Sequence, residues 1–146
     1  IGHSTIFDQG LICRCGNRGC LETVTSTGIM VELLSRTENA PVSIENIIER
    51  AEAGDSATLR VIDDVGVAVG HALANVANLI NPEVIVLGGP LAPLGEALLA
   101  PIRRGLQRHA IPVIGENTTL CMSMLGDRAE ALGAAALVLR QSAALP

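Results

Sequence analysis

Apolar side chains recur at helical spacing through Leu59, Ile62, Val65, Val69, Leu73, Val76 and Ile80, and they predict the longest element of the chain. That helix opens at Asp55 or Ser56 and is ended by Pro82. Gly66, Gly70 and Ala74 thin a second face of it, a smooth surface suited to close helix packing within the chain or to a subunit contact. A second helix is predicted from Cys20 to about Arg36 through Leu21, Val24, Met30 and Leu34, weakened by its Thr residues and Gly28. Asn39 to Ser43 reads as a connection. Ser43, with Glu45 in the next turn, caps a short helix carrying Ile44, Ile47, Ile48 and Ala51 and stopped by Gly54. Pro93 to about His109 and Arg128 to about Arg140 complete the helices. His3 to Phe7 alternates polar and apolar positions and predicts a short strand closed by Asp8-Gln9-Gly10. Glu83 to Leu87 reads as a buried strand broken by Gly88-Gly89-Pro90, and Thr118 to Leu125 as another strand. Strands alternating with helices predict an α/β layered domain with parallel pairings.

Composition narrows this picture. A chain of 146 residues buries one sizeable core, so a single domain over 1–146 is expected. Phe7 is the only aromatic residue, so that core is built from Ala, Val, Leu and Ile. The formal net charge is −5, every basic residue is Arg, and no segment gathers them into a stripe; non-specific grip on DNA or RNA is opposed. No apolar run has the length to span a bilayer and no signal sequence opens the chain, which points to a cytoplasmic protein with no membrane partner. The opening Ile1-Gly2-His3 lacks an initiator Met and reads as part of a longer protein.

The candidate chemistry sits at His3, Cys13, Cys15 and Cys20, spaced H-x9-C-x-C-x4-C, with Glu22 directly behind. Three thiolates and one imidazole are a donor set for structural zinc, which takes four soft or borderline ligands in a tetrahedron. Gly16 and Gly19 permit the positive φ values the loop needs to fold onto one ion. A redox or disulfide role and plain buried thiols remain alternatives, although Cys13 and Cys15 would make a strained disulfide. Cys121, alone in an apolar run, reads as a small core residue. One ring nitrogen of His3 can bind metal and leave the other for a ligand. Glu22 falls in the first turn of the following helix, where a carboxylate is favoured and can accept bonds from hydroxyls; it can equally be a helix-start charge with no ligand. His71 and His109 carry no partner pattern. His71 reads as a packing or dimer-contact residue, and His109 suits the C-terminal end of a helix. Asn75 and Asn78 read as groups that satisfy neighbouring backbone, and Asp127 as either a loop residue or the cap of the last helix.

Through Gly2-His3 and Cys13-Arg14-Cys15-Gly16-Asn17-Arg18-Gly19-Cys20-Leu21-Glu22, the chain resembles the ROK family of repressors, uncharacterised reading frames and sugar kinases. The likeness continues through Asn81-Pro82-Glu83-Val84-Ile85-Val86-Leu87-Gly88-Gly89 and through Gly126 to Leu137. The resemblance implies the C-terminal half of an actin-like, ribonuclease-H-like sugar-kinase fold, with helices packed on a small mixed sheet beside a zinc-binding loop. It also implies that His3, Cys13, Cys15 and Cys20 hold the zinc, that His3 and Glu22 contact a hexose, and that Gly88 and Gly89 lie where family kinases approach a nucleotide. A Gly pair after a strand is also an ordinary tight turn. A further sugar-binding glutamate of the family motif would precede Ile1.

A kinase of this fold needs a D-x-G-x-T phosphate loop and an aspartate base. Asp64-Val65-Gly66-Val67-Ala68 imitates the first but lies within a helical pattern. The chain by itself is therefore not expected to transfer phosphate. The preferred expectation is the domain of a ROK-type transcriptional regulator that senses a sugar or sugar phosphate, with no catalytic residue in this segment and with DNA bound only through a separate N-terminal module. The alternative is the C-terminal half of a hexose kinase using ATP and Mg2+, and a third class is a zinc-stabilised interaction module without ligand. A homodimer or higher homo-oligomer is expected in either of the first two.

Overall fold

The computed structural model describes residues 1–38 and 40–143, and of residues 38, 127, 142 and 143 the backbone alone. Asn39, placed at the start of the predicted connection, lies outside the described residues, as does the side chain of Asp127. The elements in chain order are α1 (Glu22–Thr25), α2 (Thr27–Glu38), α3 (Ile44–Glu52), α4 (Ser56–Ile80), β1 (Val84–Leu87), α5 (Glu96–His109), α6 (Pro112–Asn117), β2 (Thr119–Met122) and α7 (Ala129–Ala143). A single 3-10 turn at Ala92–Leu94 precedes α5.

The long helix α4 organises the molecule. Asp55 caps it by accepting a bond from the Thr58 amide, and Asn81 ends it in the left-handed conformation ahead of Pro82. Its thin face is filled from within the chain by α5. A Cβ added at Gly70 would lie 2.2 Å from the Ile102 carbonyl oxygen and 2.8 Å from Gly105 Cα, and one at Gly105 would lie 2.3 Å from the Val67 carbonyl oxygen. Gly66 meets the ring of Pro101 in the same way. The two backbones touch, so the Gly66–Gly70–Ala74 face is spent on intramolecular packing and is not a subunit contact. The Asp64 to Ala68 imitation of a phosphate loop is buried in this helix pair.

Gly70→Ala is expected to destabilise the protein by about 3 kcal/mol, the upper end for overpacking, because the obstruction is backbone that cannot move aside. Gly133→Ala on α7, where a Cβ meets nothing within 4 Å, is the control. It is expected to raise stability by up to about 1 kcal/mol through helix propensity. Denaturant midpoints of the two variants provide the measurement.

The core is aliphatic throughout, with Met30, Leu34, Ile47, Ile62, Ile102 and Leu106 fully enclosed between α2, α3, α4 and α5. Phe7, the one aromatic residue, stays half exposed outside it. β1 and β2 pair in parallel, Val84 opposite Thr119 through Leu87 opposite Met122, connected by the right-packing excursion through α5 and α6. The sheet is this parallel pair alone among the described residues, so it is not the mixed sheet expected. Antiparallel pairing is confined to isolated bridges, Thr5 with Cys20 and Ile12 with Arg18. The predicted strand from His3 to Phe7 thus shrinks to one bridge, because Gly10 and Gly19 turn the chain away after it. β1 is buried on one face only: Ile85 and Leu87 meet the helices, while Val84 and Val86 are exposed. An apolar run cannot distinguish these two environments.

The predicted helix from Cys20 to Arg36 is two helices. Ser26 is extended, with ψ of 145°, and its Oγ accepts a bond from the Ile29 amide, so it caps α2. Thr23 and Thr25 donate to the carbonyls of Cys20 and Leu21, local bonds that compete with a continuous helix. No helix of the described residues is long and apolar enough to cross a membrane.

Candidate functional site

The N-terminal segment is laid against the start of α1 by backbone bonds. The Leu21 amide donates to the Ser4 carbonyl at 2.9 Å and the Glu22 amide to the Gly2 carbonyl at 2.8 Å, which holds His3 between them. The cysteine loop closes through Cys13 N to Asn17 O at 2.7 Å and Gly19 N to Leu11 O at 2.8 Å. Gly16 and Gly19 take φ of 92° and 70°, as the loop requires. Gly19 has a second reason to be glycine, since a Cβ there would sit 1.7 Å from the Phe7 carbonyl oxygen.

These constraints converge four donor atoms. The ligand atoms of His3, Cys13, Cys15 and Cys20 all lie within 4.8 Å of one another, and they can hold a metal ion. Cys13 Sγ is 3.5 Å from His3 Nδ1, and Cys15 Sγ is 3.6 Å from Cys20 Sγ. Metal bonds of about 2.3 Å to sulfur and about 2.0–2.1 Å to nitrogen make tetrahedron edges of about 3.8 Å between sulfurs and about 3.5 Å between sulfur and nitrogen. The donor set therefore fits a tetrahedral ion. None of the cysteines is in a disulfide.

The thiols also show what the cluster costs without a cation. Burial, reinforced by the neighbouring sulfurs of Cys15 and Cys13, pushes the Cys20 thiol up to about 12. A backbone hydrogen bond at Asn17 holds the Cys15 thiol below its ordinary value. Three adjacent thiolates repel, and a divalent cation removes that penalty. Cys121 lies apart on β2, half-buried, with its sulfur directed at the Ile85 carbonyl.

Glu22 stands beside the cluster. Its Oε2 is 3.5 Å from His3 Nε2, the ring nitrogen directed away from the sulfurs, and its Oε1 is 2.7 Å from Arg14 Nη2. Imidazole, carboxylate and guanidinium form one row anchored to the cysteine loop. Gly88 and Gly89 are elsewhere, at the end of β1. Gly89 takes φ of 106° with open space where a Cβ would be, and Gly88 lies against Ser123. The sequence reading did not include Arg14; its position between two metal-ligating cysteines was the available signal.

His71 and His109, read separately from sequence, stack with ring centroids 3.9 Å apart and an interplanar angle of 13°. The contact joins α4 to the end of α5 and is intramolecular. Asn78 continues the seam, its Oδ1 accepting from the Ile111 amide at 2.8 Å. Burial first, and the charge of His109 second, lower the proton affinity of His71. Above the ordinary histidine value of 6.5 the ring is neutral in folded and unfolded chains alike; below it the unfolded chain takes the proton first. This contribution to stability is expected to fall as pH drops from 6.5 toward the lower folded value, and His71→Gln should flatten that part of a stability-against-pH curve.

Comparison with known proteins places this arrangement. The ROK family model matches residues 1–141. The chain belongs to the ROK family. It is 34% identical to a glucokinase of Halalkalibacterium halodurans over 97% of this chain and 47% of that protein. It is also 34% identical to a xylose repressor of Bacillus spizizenii over 95% of this chain and 36% of that one. A solved ROK family transcriptional regulator, described as a homologue of the Escherichia coli MLC protein, superposes with a TM-score of 0.76 at 34% identity, covering 83% of this chain and 33% of that structure. The chain spans half or less of the length of these ROK proteins, and both regulators and sugar kinases are among them.

Proposed function

We propose that this ROK chain is the effector-sensing part of a transcriptional regulator, holding a structural zinc and reading a sugar or sugar phosphate. The observation that carries the reading is the orientation of His3: Nδ1 joins the three sulfurs and Nε2 meets Glu22. His3, Cys13, Cys15 and Cys20 would hold the zinc, which supplies folding energy and fixes the imidazole tautomer. His3 and Glu22 then offer a fixed pair of polar groups to ligand hydroxyls. In this reading the chain is the C-terminal half of an actin-like sugar-kinase fold, DNA is bound by a separate module, and the protein works in the cytoplasm as a homodimer or higher oligomer.

The similarity to the xylose repressor and to the solved regulator supports this function. A hexose-kinase reading, with ATP and Mg2+ reaching Gly88 and Gly89, draws on the equal identity to the glucokinase and on the open space at Gly89. One experiment separates them. The intact protein is tested for release from its own promoter fragment by sugars, and in parallel for sugar-dependent turnover of ATP. Sugar-dependent release without turnover is the expected result; turnover with phosphorylated sugar as product would replace the regulator with the kinase.

A further inference from the structure

We infer that Arg14 is a specificity-determining residue, and that with Glu22 it selects a neutral sugar over the phosphorylated form of the same sugar. This rests on the reading of His3 and Glu22 as ligand groups. Glu22 and Arg14 together line a groove of about 240 Å3, small beside the roughly 300–1,000 Å3 of drug-sized sites and suited to a single sugar ring. Leu11, Ile12 and Ile29 give it apolar walls, and Thr23 and Ser26 bring hydroxyls whose lone local bonds are to backbone.

Arg14 and Glu22 are the only ionic side chains lining that groove among the described residues, and they are already paired at 2.7 Å. A guanidinium and a carboxylate side by side present donors next to acceptors. Adjacent hydroxyls of a neutral sugar satisfy both at once, giving to Glu22 and accepting from Arg14. A phosphate gains from Arg14 but meets the Glu22 carboxylate at nearly the same distance, and the thiolate-rich cluster lies just behind. Arg18 does not supply the missing cation, because its Nη1 is bonded to the Gly10 carbonyl at 2.9 Å at the other side of the loop. Arg14 itself is strongly exposed, so its replacement leaves the fold intact.

The test is calorimetry on the metal-loaded intact protein with xylose, glucose and N-acetylglucosamine and with the phosphate ester of each. The expected result is that the sugar that binds does so at least tenfold more tightly than its ester. Arg14→Ala then weakens the neutral sugar about tenfold or more with zinc content unchanged, while Arg14→Lys, which keeps charge and donors but loses the planar fork, restores part of the affinity. Tighter binding of an ester than of its parent sugar, lost in Glu22→Gln, would overturn the selection of neutral ligands while leaving the ligand site standing. Neutral-sugar binding that Arg14→Ala does not change would remove Arg14 from the site. If neither sugars nor esters bind, the sensing function fails and this inference with it.

Discussion

Cys15→Ser is expected to lower the stability of the protein by several kcal/mol and to cut its zinc content well below one ion per chain. Cys15 is the exposed sulfur of the cluster, so the loss cannot be assigned to a hole in the core. Structural zinc contributes folding energy directly, about 10–16 kcal/mol apparent in small zinc peptides at neutral pH, and a defective ligand set forfeits a large share. Chelation should imitate the substitution. Acid should too, since protons compete for thiolates and for His3 Nδ1, and metal is expected to leave as pH falls. Metal analysis beside a thermal melt measures both effects. A melt indifferent to chelator in a zinc-free protein would leave the cluster as buried thiols.

Glu22→Gln is expected to weaken sugar binding tenfold to a hundredfold while the zinc content stays the same. The substitution preserves volume and removes charge-assisted acceptance, worth about 1.5–3 kcal/mol per bond. It also releases Arg14, whose exposed pairing contributes little to stability, so the melt should scarcely move. In a regulator the variant would hold its operator and ignore the sugar; in a kinase it would lose turnover. Calorimetry on the intact protein reads the binding loss, and equal affinity in both proteins would reduce Glu22 to a charge at the start of α1.

The cluster was legible in the sequence because His and Cys spacing is local chemistry: a short loop with two glycines has few ways to fold, and its donors are named by residue type. The long helix was legible for a similar reason, since Leu59 to Ile80 sustains one period over many turns. What escaped depended on contacts between distant segments. α6 is six residues opened by Pro112, too short for any period to show. The break at Ser26 follows from side-chain hydroxyls bonding the backbone, which apolar spacing does not record. The His71–His109 stack and the contact of Gly70 with Gly105 join α4 to α5, and nothing near either residue in the chain announces the other. The glycines at 66 and 70 were visible as a smooth face, but smoothness does not name the surface that fills it.

A sheet of two strands has no interior strand, so β1 and β2 each carry an outer row of amide and carbonyl groups that the partner strand does not reach. Val84 and Val86 add β-branched, water-facing side chains to the same short ribbon. Such a ribbon is a template on which further strands grow, in order or in disorder. Expressed by itself at high concentration, the chain would recruit copies of its own ribbon and leave solution as aggregate. The solubility of this segment is therefore governed by whatever lies along that margin, and working with the intact protein becomes a requirement of handling as well as of function.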